Sequence, residues 1–176
     1  MPITKEIANN SLYTGATKRL KITRKQNDGS GRLVPAEKVL EVTVKPGWKP
    51  GTKISFPNAG DELVPGQAQT IVFVVEEKPH PIYKRDGDDL SAELEITLVE
   101  AFAGFVRELK TLDGRTLKVT NTPGEVIQPG QVKLFPREGM PNQRTGGKGN
   151  LRVKLNVKFP KSATREQVEG IKRLFG

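Results

Sequence analysis

The 176-residue sequence predicts a mainly β protein, built as two similar units in tandem and closed by a C-terminal amphipathic helix. Three observations carry that expectation. Thirteen Pro and eighteen Gly are spread along the chain, as many short strands joined by turns require. Pro50-Gly51-Thr52-Lys53-Ile54-Ser55-Phe56-Pro57-Asn58-Ala59-Gly60 lines up with Pro129-Gly130-Gln131-Val132-Lys133-Leu134-Phe135-Pro136-Arg137-Glu138-Gly139, with Pro-Gly, Phe-Pro and Gly in register. Near the end, the spacing of apolar residues changes from the strand period to the helix period.

Taken in order, alternation and punctuation predict short helical turns at 8–13 and 98–103. Strands are expected near 18–24, 38–45, 52–56 and 70–76 in the first unit. In the second they are expected near 90–98, 105–111, 115–120, 131–135 and 150–158. The copies also match upstream, Leu12-Tyr13-Thr14-Gly15 against Ala101-Phe102-Ala103-Gly104, and downstream in the strands Thr70–Val75 and Asn150–Leu155. Lys78-Pro79-His80-Pro81 marks the join, giving units 1–79 and 80–160 and a terminal segment 161–176. Leu112-Asp113-Gly114-Arg115 signals a hairpin, read as a tight primed turn. Thr164 is the expected N-cap of the last helix, with Gln167 three positions later. Val168, Ile171, Leu174 and Phe175 then form an apolar stripe. A helix of about three turns is marginal alone and needs a partner surface, on its own unit or on a second chain.

Composition narrows the function. A hydrophobic share of 35% suits two small layered units better than one thick globule. Without cysteine, disulfide frameworks and cysteine-based zinc sites are excluded. The lone His80 leaves no multi-histidine centre and reads as a linker residue. No apolar run reaches the roughly 20 residues needed to span a bilayer, and the N-terminus lacks a secretory signal. A soluble protein of a reducing compartment is therefore expected, in the cytoplasm, with the nucleus as the alternative.

The formal charge of +9 raises the alternative of a basic nucleic-acid-binding β protein. The excess is shared, however, with twelve basic against eight acidic residues in 1–80 and seventeen against twelve in 81–176. Tyr13 is the one aromatic in the first 25 residues, so stacking platforms are missing there. Asp86, Asp88 and Asp89 lack calcium-loop spacing, and Gly146-Gly147-Lys148-Gly149 lacks the spacing of a phosphate loop. Trp48 is expected to pack a loop. With no nucleophile–base or metal-ligand constellation, the reading is a binding module, not an enzyme, that needs no cofactor.

One stretch is a candidate surface. In Lys18-Arg19-Leu20-Lys21-Ile22-Thr23-Arg24-Lys25, alternation puts Lys18, Leu20, Ile22 and Arg24 on one face. Arg19, Lys21 and Lys25 lie on the other. An apolar centre with a cationic rim suits an extended peptide with bulky apolar side chains, or an acidic chain end. An edge strand there could add main-chain hydrogen bonds to a guest. On spacing alone, Leu20, Ile22 and Phe73 are core residues and Lys18 a solvated lysine.

Lys45-Pro46-Gly47-Trp48-Lys49-Pro50-Gly51-Thr52-Lys53-Ile54, His80-Pro81-Ile82-Tyr83-Lys84-Arg85-Asp86-Gly87-Asp88-Asp89-Leu90, Leu112–Thr116 and Gly139-Met140-Pro141 together resemble the C-terminal region of DnaJ-type heat-shock co-chaperones. The resemblance runs in order from about residue 3 to the end. It implies two tandem β-sandwich-like domains and a short dimerisation helix, here with Val168, Ile171, Leu174 and Phe175 in contact. The homodimer would present unfolded client polypeptides to the seventy-kilodalton heat-shock chaperone. Gln26-Asn27-Asp28-Gly29-Ser30-Gly31 stands where one class carries a cysteine-rich module, which places the chain in the zinc-less class. The J domain, with its His-Pro-Asp loop, is not in this sequence, since Ile82 follows His80-Pro81.

The resemblance places a peptide groove at Ile3, Lys5, Leu20, Ile22 and Phe73. Lys18 and Lys38 are the lysines that would hold the partner chaperone's Glu-Glu-Val-Asp tail. Leu20 stands where an aromatic is common and Lys5 where an apolar residue is common, so the groove is expected to be shallower and more cationic. The corresponding surface of the second domain would use Leu94, Ile96, Phe105, Val106 and Leu109. Neither nucleic acid nor membrane is expected as a partner.

Overall fold

The computed structural model describes residues 2–176, with side chains from Ile7 onward. β1 (Pro2–Ala8) runs into a short helix, α1 (Asn9–Thr14). β2 (Ala16–Asn27) and β3 (Leu33–Val44) form a long antiparallel hairpin. Then come β4 (Lys53–Phe56), the small pair β5 (Glu62–Val64) and β6 (Gln67–Ala68), and β7 (Ile71–Lys78). β7 is the centre of a three-stranded sheet, parallel to β1 and antiparallel to β4. Leu40, Val42 and Val44 are buried on the inner face of the hairpin, as are Ile71, Phe73 and Val75 on β7. Period-2 side chains give each layer one apolar face, and the two faces cover each other.

The plan then repeats. β8 (Tyr83–Asp86) and β9 (Asp89–Thr97) lead into α2 (Leu98–Ala103). The hairpin β10 (Val106–Lys110) and β11 (Thr116–Thr120) follows, then β12 (Val132–Phe135) and β13 (Leu151–Lys158). β13 is parallel to β9 and antiparallel to β12, in a sheet ordered β12-β13-β9-β8. Ile96, Leu109, Val119, Leu151, Val153 and Leu155 fill the core of this half.

The aligned Pro-Gly pairs have one conformation. The Thr52 amide donates to the Lys49 carbonyl, and the Gln131 amide to that of Gln128. Each closes a turn with Pro second and a positive-φ Gly third, as a type II turn requires. Gly51 N–H then reaches Val75 O while Val75 N–H reaches Thr52 O, and Gly130, Leu155 and Gln131 repeat the pattern. Both edge strands thus begin at a bulge whose first residue is a left-handed glycine.

Two expectations change. The hairpin at Asp113-Gly114 is not a two-residue primed turn, because Gly114 has φ +86° while Asp113 keeps a negative φ. The Gly114 amide donates to Thr111 O and the Thr111 amide to Arg115 O. This is the three-residue hairpin, a type I turn ending in a left-handed residue. β1, β5, β6 and β8 were also not expected as strands. Three of them are four residues or shorter, too short for a period to show.

α3 (Arg165–Phe175) has the expected capping box, in which the Gln167 amide donates to Thr164 Oγ1 and the Thr164 amide to Gln167 Oε1. None of its residues is buried, and Val168, Ile171, Leu174 and Phe175 are all exposed. The Phe175 ring lies 5.5 Å from that of Phe102 on α2, so the end of the helix leans on its own chain.

The halves are pinned together by polar contacts. Lys148 Nζ donates to Tyr13 Oη at 2.8 Å, and Asn10 Nδ2 to Leu112 O at 3.0 Å. Arg85 Nη1 donates to Trp48 O at 2.8 Å and faces Glu77 at 3.6 Å. Burial pulls the Arg85 guanidinium down, against the pull of Glu77 and Asp88. Lys49 and Asp88 pair at 3.1 Å. Trp48 packs its loop against the core, and His80 Nδ1 accepts the Ile82 and Tyr83 amides within the linker.

Candidate functional site

A depression of about 270 Å³ opens between the β2–β3 hairpin and the three-stranded sheet. Lys18 and Leu20 from β2, Val42 from β3, Ile54 from β4, Phe73 and Val75 from β7 and Ile7 from β1 line it. Phe73 is 3% exposed and forms the floor, with the Phe56 ring edge-on to it at 5.5 Å. Val42 and Val75 are also buried, while Leu20 and Ile54 are half-buried. Two exposed lysines, Lys18 and Lys78, also line it and form its rim.

The hairpin register explains why these residues meet. Lys18 faces Val42, Leu20 faces Leu40, and Ile22 faces Lys38, so all six share the inner face. On the outer face Arg19 pairs with Glu41 at 3.4 Å and Lys21 with Glu37 at 2.6 Å. Those two cations are therefore answered across the hairpin, whereas Lys18 has no ion-pair partner among the described residues. β2 has β3 on one side; its other edge meets Asp61 near the far end, where the carboxylate accepts the Lys25 amide.

The sequence-predicted set is divided by the structure. Lys18, Leu20 and Phe73 come together in the depression. Ile22 and Lys38 lie farther along the same face, and Lys38 Nζ donates to the Asn58 carbonyl at 3.1 Å. Ile3 and Lys5 pair through their backbone with Phe73 and Val75, and their side chains lie outside the described residues. Ile7, Val42, Ile54, Val75 and Lys78 belong to the lining and were not singled out from sequence. The signal for Ile54 was its alternation within the repeated Lys53–Phe56 segment, which sets it directly across from Phe73.

The second half fills the matching positions differently. Ile96, Phe105 and Leu109 are core residues, Leu94 is half-buried, and Val106 is 63% exposed. Arg107, in the place of Lys18, is held by Glu100 at 2.6 Å. Lys133, in the place of Ile54, is drawn to the Thr120 carbonyl and to Glu125. Among the described residues no cluster of His, Asp and Glu could hold a metal ion, and no helix is long and apolar enough to cross a membrane. Asp88 and Asp89 instead bind Lys49, Asn142, Arg152 and the Asn150 amide.

Comparison with known proteins agrees with this architecture. The family model described as "DnaJ C terminal domain" matches residues 2–160. The chain is similar to Protein psi1 of Schizosaccharomyces pombe, 45% identical over 157 residues that make up 89% of this chain and 41% of that protein. It is similar to Protein SIS1 of Saccharomyces cerevisiae, 38% identical across 93% of this chain and 46% of the relative. DnaJ homolog subfamily B member 5 of Homo sapiens is 38% identical across 92% and 47%. The chain thus spans less than half the length of each of these relatives.

Proposed function

The chain belongs to the DnaJ C-terminal domain family, in its zinc-less class, and from that premise we propose that it is a co-chaperone module for non-native polypeptides. It binds extended apolar segments of unfolded clients in the depression over Phe73. The same place receives the acidic Glu-Glu-Val-Asp tail of the seventy-kilodalton heat-shock chaperone. The observation that carries the reading is an apolar floor rimmed by Lys18 and Lys78, beside a β2 edge that, among the described residues, has no strand partner along most of its length. The floor takes a bulky side chain, the lysines take a carboxylate, and the edge pairs with the guest's backbone.

Residues 1–79 and 80–160 serve as two β-sandwich-like domains and 161–176 as the dimerisation segment. A homodimer linking two shallow sites raises the total affinity while each contact stays weak, which suits a protein that must pass its substrate on. The role involves no bond making or breaking and no cofactor.

A labelled peptide ending in Glu-Glu-Val-Asp, titrated into the chain and into Lys18→Ala and Lys38→Ala variants, tests the assignment. Lys18→Ala is expected to weaken binding about fivefold, an ion pair's worth of about 1 kcal/mol. Lys38→Ala is expected to do less, because its ammonium is already engaged by Asn58. A Lys18→Ala titration that overlays the wild type would remove the tail from the depression.

A further inference from the structure

The two halves differ where their edge strands meet solvent. β4 and β12 hold matching places, each ending its sheet after the same turn and bulge. On β4 the outward residues are Lys53 and Ser55, and the half-buried ones are Ile54 and Phe56. On β12 the pattern is exchanged at three positions. Val132 and Leu134 face outward, 51% and 54% exposed, while Lys133 turns in toward Thr120 and Glu125.

The ladder directs the main chain of β12 in the same way. The bulge fixes Gln131 and Leu155 as a bonded pair. Alternation then makes Lys133–Val153 and Phe135–Leu151 the next bonded pairs. The N–H and C=O groups of Val132 and Leu134 therefore point away from β13. Among the described residues no strand lies on that side and no other hydrogen bond reaches them. Sheet edges are commonly protected by an outward lysine or proline. β4 has Lys53 in that role; β12 has an aliphatic ledge.

We propose that the outer edge of β12 is a second peptide-binding site, which adds an extended apolar segment with acidic flanks as a further strand. Alternate side chains of that segment lie on Val132 and Leu134. The proposal rests on the reading that this chain holds non-native polypeptides, and it adds a place separate from the depression over Phe73. Charge selects the occupant. Lys154, opposite Val132, and Arg137, just beyond the strand, are exposed and have no ion-pair partner among the described residues. A second copy docking β12 against β12 would bring each Arg137 toward the other copy's Lys154, in a chain already at +9. An acid-flanked segment meets the same cations with the opposite sign.

The probe is a fluorescein-labelled peptide, Asp-Glu-Leu-Val-Ile-Val-Leu-Glu-Asp, titrated into wild type, Leu20→Asp and V132K/L134S. The double substitution gives β12 the outward residues that β4 already carries, a pattern this fold accepts. The expected result is two peptides per wild-type chain and one for either variant. On the wild type, peptide should slow hydrogen exchange at the Val132 and Leu134 amides at least fivefold. Should V132K/L134S bind as many peptides as wild type, or the two amides exchange at an unchanged rate, the edge site is overturned while the depression stands. Should the wild type bind no peptide at all, the co-chaperone reading fails and this site with it.

Discussion

Three donors converge on one carboxylate at the tip of the β10–β11 hairpin. Asp113 accepts from Thr111 Oγ1, from Arg115 Nε at 2.8 Å and from the Arg115 amide at 3.3 Å. Burial alone would push the group up; these donors outweigh it and bring it from 3.8 down to about 2. A carboxyl whose folded pKa is depressed contributes stability in full above its unfolded value, and that contribution is lost as the pH falls through the folded one. Asp113 therefore stabilises the fold by about 1–2 kcal/mol above pH 4, and the term vanishes toward pH 2. Asp113→Asn should lower the urea midpoint at neutral pH and flatten the acid limb of the stability curve. Curves that run parallel for the variant and wild type would show that the linkage is absent. Residue-level reading of the sequence reached as far as alternation carries, putting Lys18, Leu20 and Ile22 on one face and Arg19 and Lys21 on the other. It could not see that Lys38 is held by the carbonyl of Asn58, a positive-φ residue twenty positions away. Nor could it see Val42 and Ile54 in the lining, since both depend on how separate strands register.

At the scale of the element, α3 is the piece most legible in sequence and least supported by its surroundings. The capping box and the apolar stripe were both readable, because each is set by residues three or four apart. What the stripe packs against is not local information, and Phe102 on α2 gives the structure's partial answer for Phe175. On the proposed homodimer, Ile171→Asp with Leu174→Asp is expected to leave monomers in sedimentation, whereas a variant that stays dimeric removes α3 from the proposed interface. Thr164→Ala should cost the helix about 1 kcal/mol, seen as faster amide exchange in residues 165–168. The β10–β11 hairpin shows the limit of turn signals. Asp-Gly correctly announced a reversal, but the turn type was decided by the strands' pairing of Lys110 with Thr116, which leaves five residues to cross.

For the molecule as a whole, the duplication was readable because turns leave marks in sequence, and the Pro-Gly and Phe-Pro matches record one shared bulge geometry. The joint between the halves left no such mark. Its contacts, Tyr13 with Lys148, Asn10 with Leu112 and Arg85 with Trp48, link residues up to 135 positions apart. Gly47 is its tightest point. It has φ +83°, and a Cβ there would sit 2.3 Å from the Pro141 carbonyl oxygen. Gly47→Ala is expected to cost about 2 kcal/mol or more and to lower the melting temperature by several degrees. An unchanged melt would mean that the loops separate freely. The parallel strand pairs carry a consequence for how the chain acquires its shape. Ile3 must find Phe73, and Leu90 must find Leu151, so neither sheet closes through neighbouring segments. Such distant pairings slow folding toward the millisecond-to-second range. They also order it during synthesis from the N-terminus, because β1 gains its partner once Lys78 has been made, while β9 must still wait for β13.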